Sequence, residues 1–583
     1  MALNRICLKT ELCIVGGGIA GLCAAITASR LGTKVVLVQE RPVFGGNASG
    51  EIRMWICGAQ NYIYKETGLN EELNLSNYYY NPTKNYYLWN SLLYEKVVSE
   101  PNITPLLNCT CFDAETIDEK IVGITAYQMT TQTIYEIAAD YFADCSGDSI
   151  LAPLTGACFR YGRESKDEFN EPMRSHSERD TKTMGNSCLL QARKVDHKVV
   201  FHSPEWAEKI SVEKLKSKSV DLRNPYENFW YIEIGGTDDV IGNAENIQKR
   251  LLAISLGIWD TIKNSGEFDA DYYELEFLGF LPAKRESRRM VGDYILNAND
   301  ILEAKSFPDT VAYGGWPLDD HNPDGFDGNE SNYTIVVPKV YGIPYRCLYS
   351  KNIKNLFFAG RNISLTHMAM SSARVMATCG TIGQAVGAAG HIAEKYRVSP
   401  REVGNHITEL QQTLLKMDCF LPGVERTVAP LCKEASFSGD DVLRNGKDRN
   451  FACLTNFASV ENGCALEYTF ASPTAVNGVK IVFDSDLQRE SFGDMHECEK
   501  HHSMRCNIND DSPVMYMPKT LAKCFDIEYE AEDGRKVTVK HEERNLARNV
   551  LIPLGAKVVR VRLTVYSNWG NTEKTNLFTF ELF

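Results

Sequence analysis

Thr10-Glu11-Leu12-Cys13-Ile14-Val15-Gly16-Gly17-Gly18-Ile19-Ala20-Gly21 is the stretch that decides the N-terminal fold. Residues 10–15 read as a short buried strand, and Leu22 to Gly32 (LCAAITASRLG) as a helix of small residues. Between them each glycine has a task. Gly16 permits the tight turn, Gly18 lets the backbone approach a pyrophosphate, and Gly21 lets helix and strand pack closely. Ile19 and Ala20 lie in the first helical turn, whose free N–H groups and partial positive charge suit phosphate. A second apolar strand, Lys34 to Val38 (KVVLV), ends at Gln39-Glu40. Glu40 stands where an acid accepts hydrogen bonds from a ribose. Strand, turn, helix, strand and acid in register describe a dinucleotide site.

At 583 residues the chain exceeds what one hydrophobic core serves, so about two or three domains are expected. With 44% hydrophobic and 24% charged residues it is neither disordered nor fibrous. Asp and Glu number 76 against 62 Lys and Arg, a net charge of −14, which argues against nucleic acid as a partner. Leu12 to Ala28 is apolar, but Gly16, Gly17, Gly18 and Gly21 mark it as a nucleotide fold rather than a membrane span, and no membrane partner is expected. The 18 cysteines are scattered without C-x-x-C spacing, which together with the absence of a secretion signal predicts reduced thiols in a cytoplasmic protein. His496, Cys498, His501, His502 and Cys506 are dense but match no zinc-finger spacing, so no metal is expected.

Three segments favour FAD over a nicotinamide. Arg41 to Gly50 (RPVFGGNASG) is a second glycine-rich turn. Asp140 to Asp144 is a strand leading into Cys145-Ser146-Gly147-Asp148, and Asn355 to Asn362 (NLFFAGRN) is a buried strand ending at Gly360. Together with Gly45 to Ala59 (GGNASGEIRMWICGA), Thr183 to Gln191 (TMGNSCLLQ), Lys284 to Tyr294 (KRESRRMVGDY) and Gly360 to Gly380 (GRNISLTHMAMSSARVMATCG), these resemble the large FAD-dependent oxidoreductase family. The resemblance covers about the first 400 residues. It implies an α/β Rossmann-type FAD-binding domain, with its N-terminal half at residues 1–164 and its returning half at 336–398. A mixed α+β substrate or cap domain at 165–335 is inserted between them, a helical connector follows at 399–428, and an all-β sandwich occupies 429–583. FAD would be held by Gly16, Gly18, Ile19, Ala20, Gly21, Glu40, Arg41, Gly46, Asn47, Ser49, Gly147, Gly360, Arg361 and Ser372.

A helix opening at Ser371-Ser372-Ala373-Arg374 is expected to face the isoalloxazine, with Arg374 near N1. His367 and His321 are the candidate proton acceptors or donors, and Arg53 the residue that orients substrate. Whether the flavin is covalently attached stays open; His367 and Cys379 are the candidates for such a link. The expected activity is hydride transfer between flavin and a small polar substrate, a sugar, polyol or hydroxy compound. Two alternatives stand beside it: reduction of an activated C=C bond in a carboxylate gripped by Arg285, Arg288 and Arg289, and a carbohydrate-binding protein with a structural flavin. Only one G-x-G-x-x-G occurs, so a separate nicotinamide domain is not expected and the electron acceptor stays open, as does assembly into a homo-oligomer. The tyrosines between Tyr62 and Tyr94, with Trp89, are a weak pointer to sugar stacking.

Elsewhere, Phe229 to Ile234 and Tyr333 to Val337 read as strands, Ala244 to Asn264 and Pro400 to Met417 as helices, and residues 165–182 as an irregular loop. Beyond Ala429, short alternating strands at Leu466 to Phe470, Val476 to Phe483, Phe525 to Tyr529, Lys536 to Val539 and Lys557 to Tyr566, with a hairpin turn at Asp533-Gly534, resemble a discoidin or galactose-binding jelly roll. Such modules bind sugars or brace a catalytic domain; bracing is the expectation here.

Overall fold

A computed structural model describes residues 3–172, 178–218, 220–451, 454–509 and 512–583. Part of the loop expected at 165–182 lies outside the described residues. The chain divides into two compact units, the first built from 1–60, 83–410 and 502–514, the second from 61–82, 411–501 and 515–583. Among the described residues no helix is long and apolar enough to cross a membrane.

The first unit is organised by a sheet whose central strands are parallel. β1 (Asn4–Val15) pairs in parallel with β2 (Val35–Val38) on one side and with β6 (Thr133–Asp144) on the other, and β2 pairs with β3 (Ile103–Leu106). All four residues of β2 and the last four of β1 are buried, as parallel strands covered on both faces require. β4 (Cys109–Ile117) and β5 (Lys120–Gln128) extend the sheet antiparallel beyond β6. β5 leaves β6 at Ile137, and the returning strand Leu356–Phe358 takes over, pairing with Phe142 to Asp144. The distant segment read from NLFFAGRN thus re-enters the sheet beside the strand that leads to Gly147.

α1 (Ile19–Arg30) follows Gly16, whose φ of +107° puts it in the region open to glycine. Every residue from Ile19 to Ser29 is buried, because the small-residue helix Met376–Tyr396 lies against it. The helix expected to open at Ser371 is instead two helices. His367–Ala373 ends at Arg374, Val375 is extended, and a second helix starts at Met376. The break is stabilised where Cys57 supplies a carbonyl to the N–H of Ala377, one of the unpaired donors of the new helix's first turn.

In the inserted region the helix Ala244–Asn264 forms where expected and buries Ile247, Leu251, Ile254, Ile258 and Ile262 along one stripe. The strand read over Phe229 to Ile234 shrinks to Glu233–Ile234, because Phe229 has φ of +56° and Ile232 N–H turns back to its carbonyl. Likewise only Tyr333–Ile335 pairs, with Leu318–Asp320. The helix read over Pro400 to Met417 begins as a 3-10 turn, Glu402–His406, and continues as Ile407–Lys416.

The second unit is antiparallel. Its sheet runs Ala458–Glu461, Lys574–Leu582, Ala465–Phe483, Asn549–Asn568, Ala522–Ala531, Lys536–Glu542. The strands expected at 466–470 and 476–483 are one bulged strand, with register shifts at Thr469/Thr474 and Val476/Gly478. The Asp533-Gly534 turn closes its hairpin, Gly534 having φ of +79°. Tyr468, Phe483, Phe525 and Phe580 fill the core together with Leu75 and Tyr78 from helix Leu69–Tyr80.

Candidate flavin and substrate site

The two glycine-rich turns meet. Gly45 N–H donates to Gly17 O at 2.9 Å, Gly17 N–H donates to Gln39 Oε1 at 2.8 Å, and a Cβ on Gly46 would sit 3.1 Å from Gly18 Cα. Gly18 caps α1 with no side chain of its own, so the helix N-terminus faces open space. That space is a cavity of about 750 Å³. Of the residues read from the sequence, Gly16, Gly18, Ile19, Ala20, Glu40, Arg41, Gly46, Asn47, Gly147, Gly360, Arg361, Arg374 and His321 line it.

The others lie behind the wall. Gly21 packs on the turn, where a Cβ would come 1.8 Å from Gly16 O. Ser49 is fully buried and its carbonyl accepts the N–H of Arg53 at 2.8 Å. Ser372 Oγ donates to Trp316 O at 2.5 Å and lies 2.7 Å from Tyr341 OH. Arg53 has φ of +67°, which turns its side chain into an aromatic box: Phe277 at 4.1 Å and Tyr86 at 5.0 Å, with a hydrogen bond to Gln191 Oε1 at 2.9 Å. Among the described residues, none of the tyrosines between 62 and 94 is on the wall.

His367 is likewise interior. It is fully buried, with Nδ1 2.8 Å from Glu286 and Nε2 2.9 Å from Asp320. Burial opposes its charge, but these two carboxylates outweigh burial and raise its pKa to about 10. Arg289 is saturated: it donates to Glu286, to Glu164 at 2.7 Å and to the carbonyls of Gly162 and Leu365. Of the three arginines read as a clamp, Arg285 and Arg288 reach the wall.

His321 is held on the wall by Glu233 at 2.6 Å from Nδ1 and Asp319 at 3.1 Å from Nε2. Glu233 also meets Arg285 at 3.3 Å, and Arg374 reaches Asp319 at 3.4 Å. Burial alone would raise Glu233, yet Arg285 and His321 bring it down to about 2; Asp319 is likewise held well below the usual carboxylate range. Trp230 packs edge-on to His321 at 5.5 Å, and Trp316 and Trp55 line the same cavity. Glu233 was legible only as one acid inside an apolar run, FWYIEI. Asp148, expected merely beside Gly147, pairs with Arg361 at 2.8 Å and Lys284 at 2.6 Å, which overcome burial and bring it to about 2. Cys379 lines the wall with its thiol pushed by burial up to about 12.

The cluster at 496–506 splits. His501 stacks on Tyr62 within the second unit and His502 on Trp55 within the first, while the Cys498 side chain lies outside the described residues. Among the described residues no group of three or more His, Cys, Asp or Glu is arranged to hold a metal ion.

Among the described residues, three buried guanidinium donors at the wall, Arg41 Nη1, Arg361 Nε and Arg374 Nε, have no protein partner. Buried cationic donors left unpaired call for an anionic or carbonyl-rich ligand. With the open N-terminus of α1 and the glycine cradle, they fit the diphosphate and ring carbonyls of FAD.

Comparison with known proteins agrees. The FAD dependent oxidoreductase family matches residues 11–414. A search of curated proteins finds no match. Among solved structures, the chain is similar to E. coli quinol fumarate reductase (12% identity, 71% of this chain and 75% of that one, TM-score 0.28). It is also similar to p-nitrophenol 4-monooxygenase from Pseudomonas putida DLL-E4 (11%, 70% and 85%, TM-score 0.30). A third likeness is to the family 32 carbohydrate-binding module of Streptococcus pneumoniae EndoD (15%, 25% and 86%, TM-score 0.18). With the family matched over most of its length, this chain belongs to the FAD-dependent oxidoreductases and is an enzyme that uses FAD.

Proposed function

We propose that this oxidoreductase dehydrogenates a small hydroxyl-bearing substrate, a sugar or polyol, with His321 accepting the hydroxyl proton. The observation that carries the reading is the Glu233–His321–Asp319 arrangement on the cavity wall. FAD, when bound, supplies the hydride acceptor. Glu233 is ionised and accepts from Nδ1–H, which orients the ring and leaves Nε2, 3.1 Å from Asp319, as the nitrogen that exchanges the proton. Asp319 also meets Arg374, and a hydroxyl reaches Nε2 of the neutral ring once Asp319 turns from the imidazole to that guanidinium. Trp230 and Trp316 offer apolar faces for the C–H side of a sugar ring. Asn186 Oδ1 and Trp316 Nε1 are buried at the wall without partners and suit hydroxyl groups.

The test is the visible spectrum of the purified protein under anaerobic conditions, with sugars, polyols and hydroxy acids added in turn. Bleaching of the flavin band by one of them, lost in His321→Asn at unchanged FAD content, supports the reading. If none bleaches it, but dithionite-reduced protein is reoxidised by an enoate, the activity is the reduction of a C=C bond and the proposal falls.

A further inference from the structure

His367 sits where a catalytic histidine would be sought, yet it touches the cavity nowhere. Its partner explains this. Asp320 lies between Asp319 and His321 on the strand Leu318–Asp320, and in an extended chain alternate side chains point to opposite faces. Asp319 and His321 turn to the cavity, and Asp320 turns inward, where His367 Nε2 meets it at 2.9 Å. On its other side His367 Nδ1 meets Glu286, and its backbone N–H donates to Glu164 at 2.8 Å. Glu286 and Glu164 are joined by the fully buried Arg289.

We propose that His367 is a positioning residue: as a buried imidazolium between Glu286 and Asp320 it pins the inward side of the 318–321 segment, and so aims Asp319 and His321 into the cavity. This rests on the reading of His321 as the proton acceptor. On the cavity side the segment is held by Glu233 at His321 and by Arg374 at Asp319; on the inward side Asp320 meets His367. Leu318–Asp320 pairs with only three residues, Tyr333–Ile335, before the chain turns away. The charged groups around the pair are Glu286, Glu164, Glu171 and Arg289 at His367, and Arg163 and His321 acting on Asp320. Burial would raise the Asp320 carboxyl, and the His367 charge holds it down.

The consequence has a signature that plain packing lacks. In His367→Gln the buried Asp320 loses its main cation. Protonated, it still hydrogen-bonds the amide; ionised, it is an unpaired buried charge and the segment loosens. Hydrogen exchange of the peptide 316–323, read by mass spectrometry with FAD bound and no substrate, reports this directly. We expect H367Q to lose at least tenfold in protection at pH 8.5 after correction for intrinsic rates, and to lose less at pH 6, where Asp320 is nearer protonation. The H367Q/D320N double variant, a neutral amide pair, is expected to keep protection at both. Equal protection in H367Q and the parent at both pH values overturns the proposal, and so does loosening of equal size at both. Should H367Q not retain FAD, the double variant decides: recovery of FAD and of protection supports the pair, and no recovery overturns it. Because no turnover is read, a protein that oxidises no hydroxyl compound refutes the proposed reaction without altering this outcome.

Discussion

Replacing Gly383 by alanine tests how the FAD-binding helix is held. Gly383 faces α1 from the helix Met376–Tyr396, and a Cβ there would lie 2.1 Å from Ala20 O. Ordinary contact begins at about 3.4 Å, so the helices must part locally by roughly 1.3 Å (3.4 − 2.1). The neighbour is backbone, not the end of a flexible side chain, and both helices are buried, so neither can give cheaply. Removing a glycine from a helix interior contributes about 1 kcal/mol in favour of the variant. Overpacking costs about 1–3 kcal/mol, and a backbone clash belongs at or above the upper end. We therefore expect a net loss of about 2 kcal/mol, seen as a melting temperature several degrees lower. Ala20 is also on the cavity wall beside Gly18, so parting the helices moves the N–H groups that would meet phosphate when FAD is bound. Loss of one such charge-assisted bond, about 1.5–3 kcal/mol, weakens FAD binding on the order of 10- to 100-fold. Scanning calorimetry and the ratio of flavin absorbance to protein after desalting measure the two effects. Gly404→Ala is the control, since nothing lies within 4 Å of its added Cβ. A G383A protein that melts higher than the parent and keeps its FAD would mean that helix propensity outweighs the contact, and the account of the helix pair would be wrong.

Glu233→Gln removes the charge that orients His321. FAD content should hold while turnover of the substrate identified by bleaching falls by about 10²-fold, and undiminished turnover would exclude the assigned orientation. Asp148, Glu164 and Glu233 sit at about 2, below their ordinary values of 3.8, 4.5 and 4.5, so they favour the folded state above those ordinary values and lose that contribution as pH falls towards 2. Flavin fluorescence followed on acidification should therefore report FAD release below about pH 4.5, with a smaller acid response in Asp148→Asn. In the second unit, Arg489 is fully buried between Glu71 at 2.9 Å and Tyr78 OH at 3.2 Å. Arg489→Met leaves the Glu71 carboxylate buried with only Lys65 at 3.7 Å and should destabilise that unit by about 3–5 kcal/mol, with part of the loss recovered in Arg489→Met/Glu71→Leu, both measured by calorimetry.

The flavin half of the cavity was legible because its chemistry is local. Residues 10–21 carry the strand, the turn and the helix start in one continuous run, and Gly16 sits at φ of +107°, a conformation that favours glycine. Gly147, Gly360 and Arg361, each just beyond a strand of the same sheet, line the cavity beside it. The histidine chemistry of the cavity was not local. Glu233 and His321 are 88 residues apart, and Glu286 and Asp320 each reach His367 across still unrelated segments. A histidine reads alike in sequence whether its neighbours leave it on a wall or enclose it in carboxylates.

By itself, then, the sequence determined the strand–turn–helix unit at its start, the cofactor and the order of the α/β and all-β parts, since these follow from backbone conformation and from hydrophobic period over short spans. Tertiary structure alone decided which histidine faces the cavity, that Arg53 is spent in an aromatic box and Arg289 in an ion cage, and that the helix after Gly360 breaks at Arg374. Each of these depends on which charges and carbonyls burial brings together, and a buried charge takes its role from partners far away in the chain.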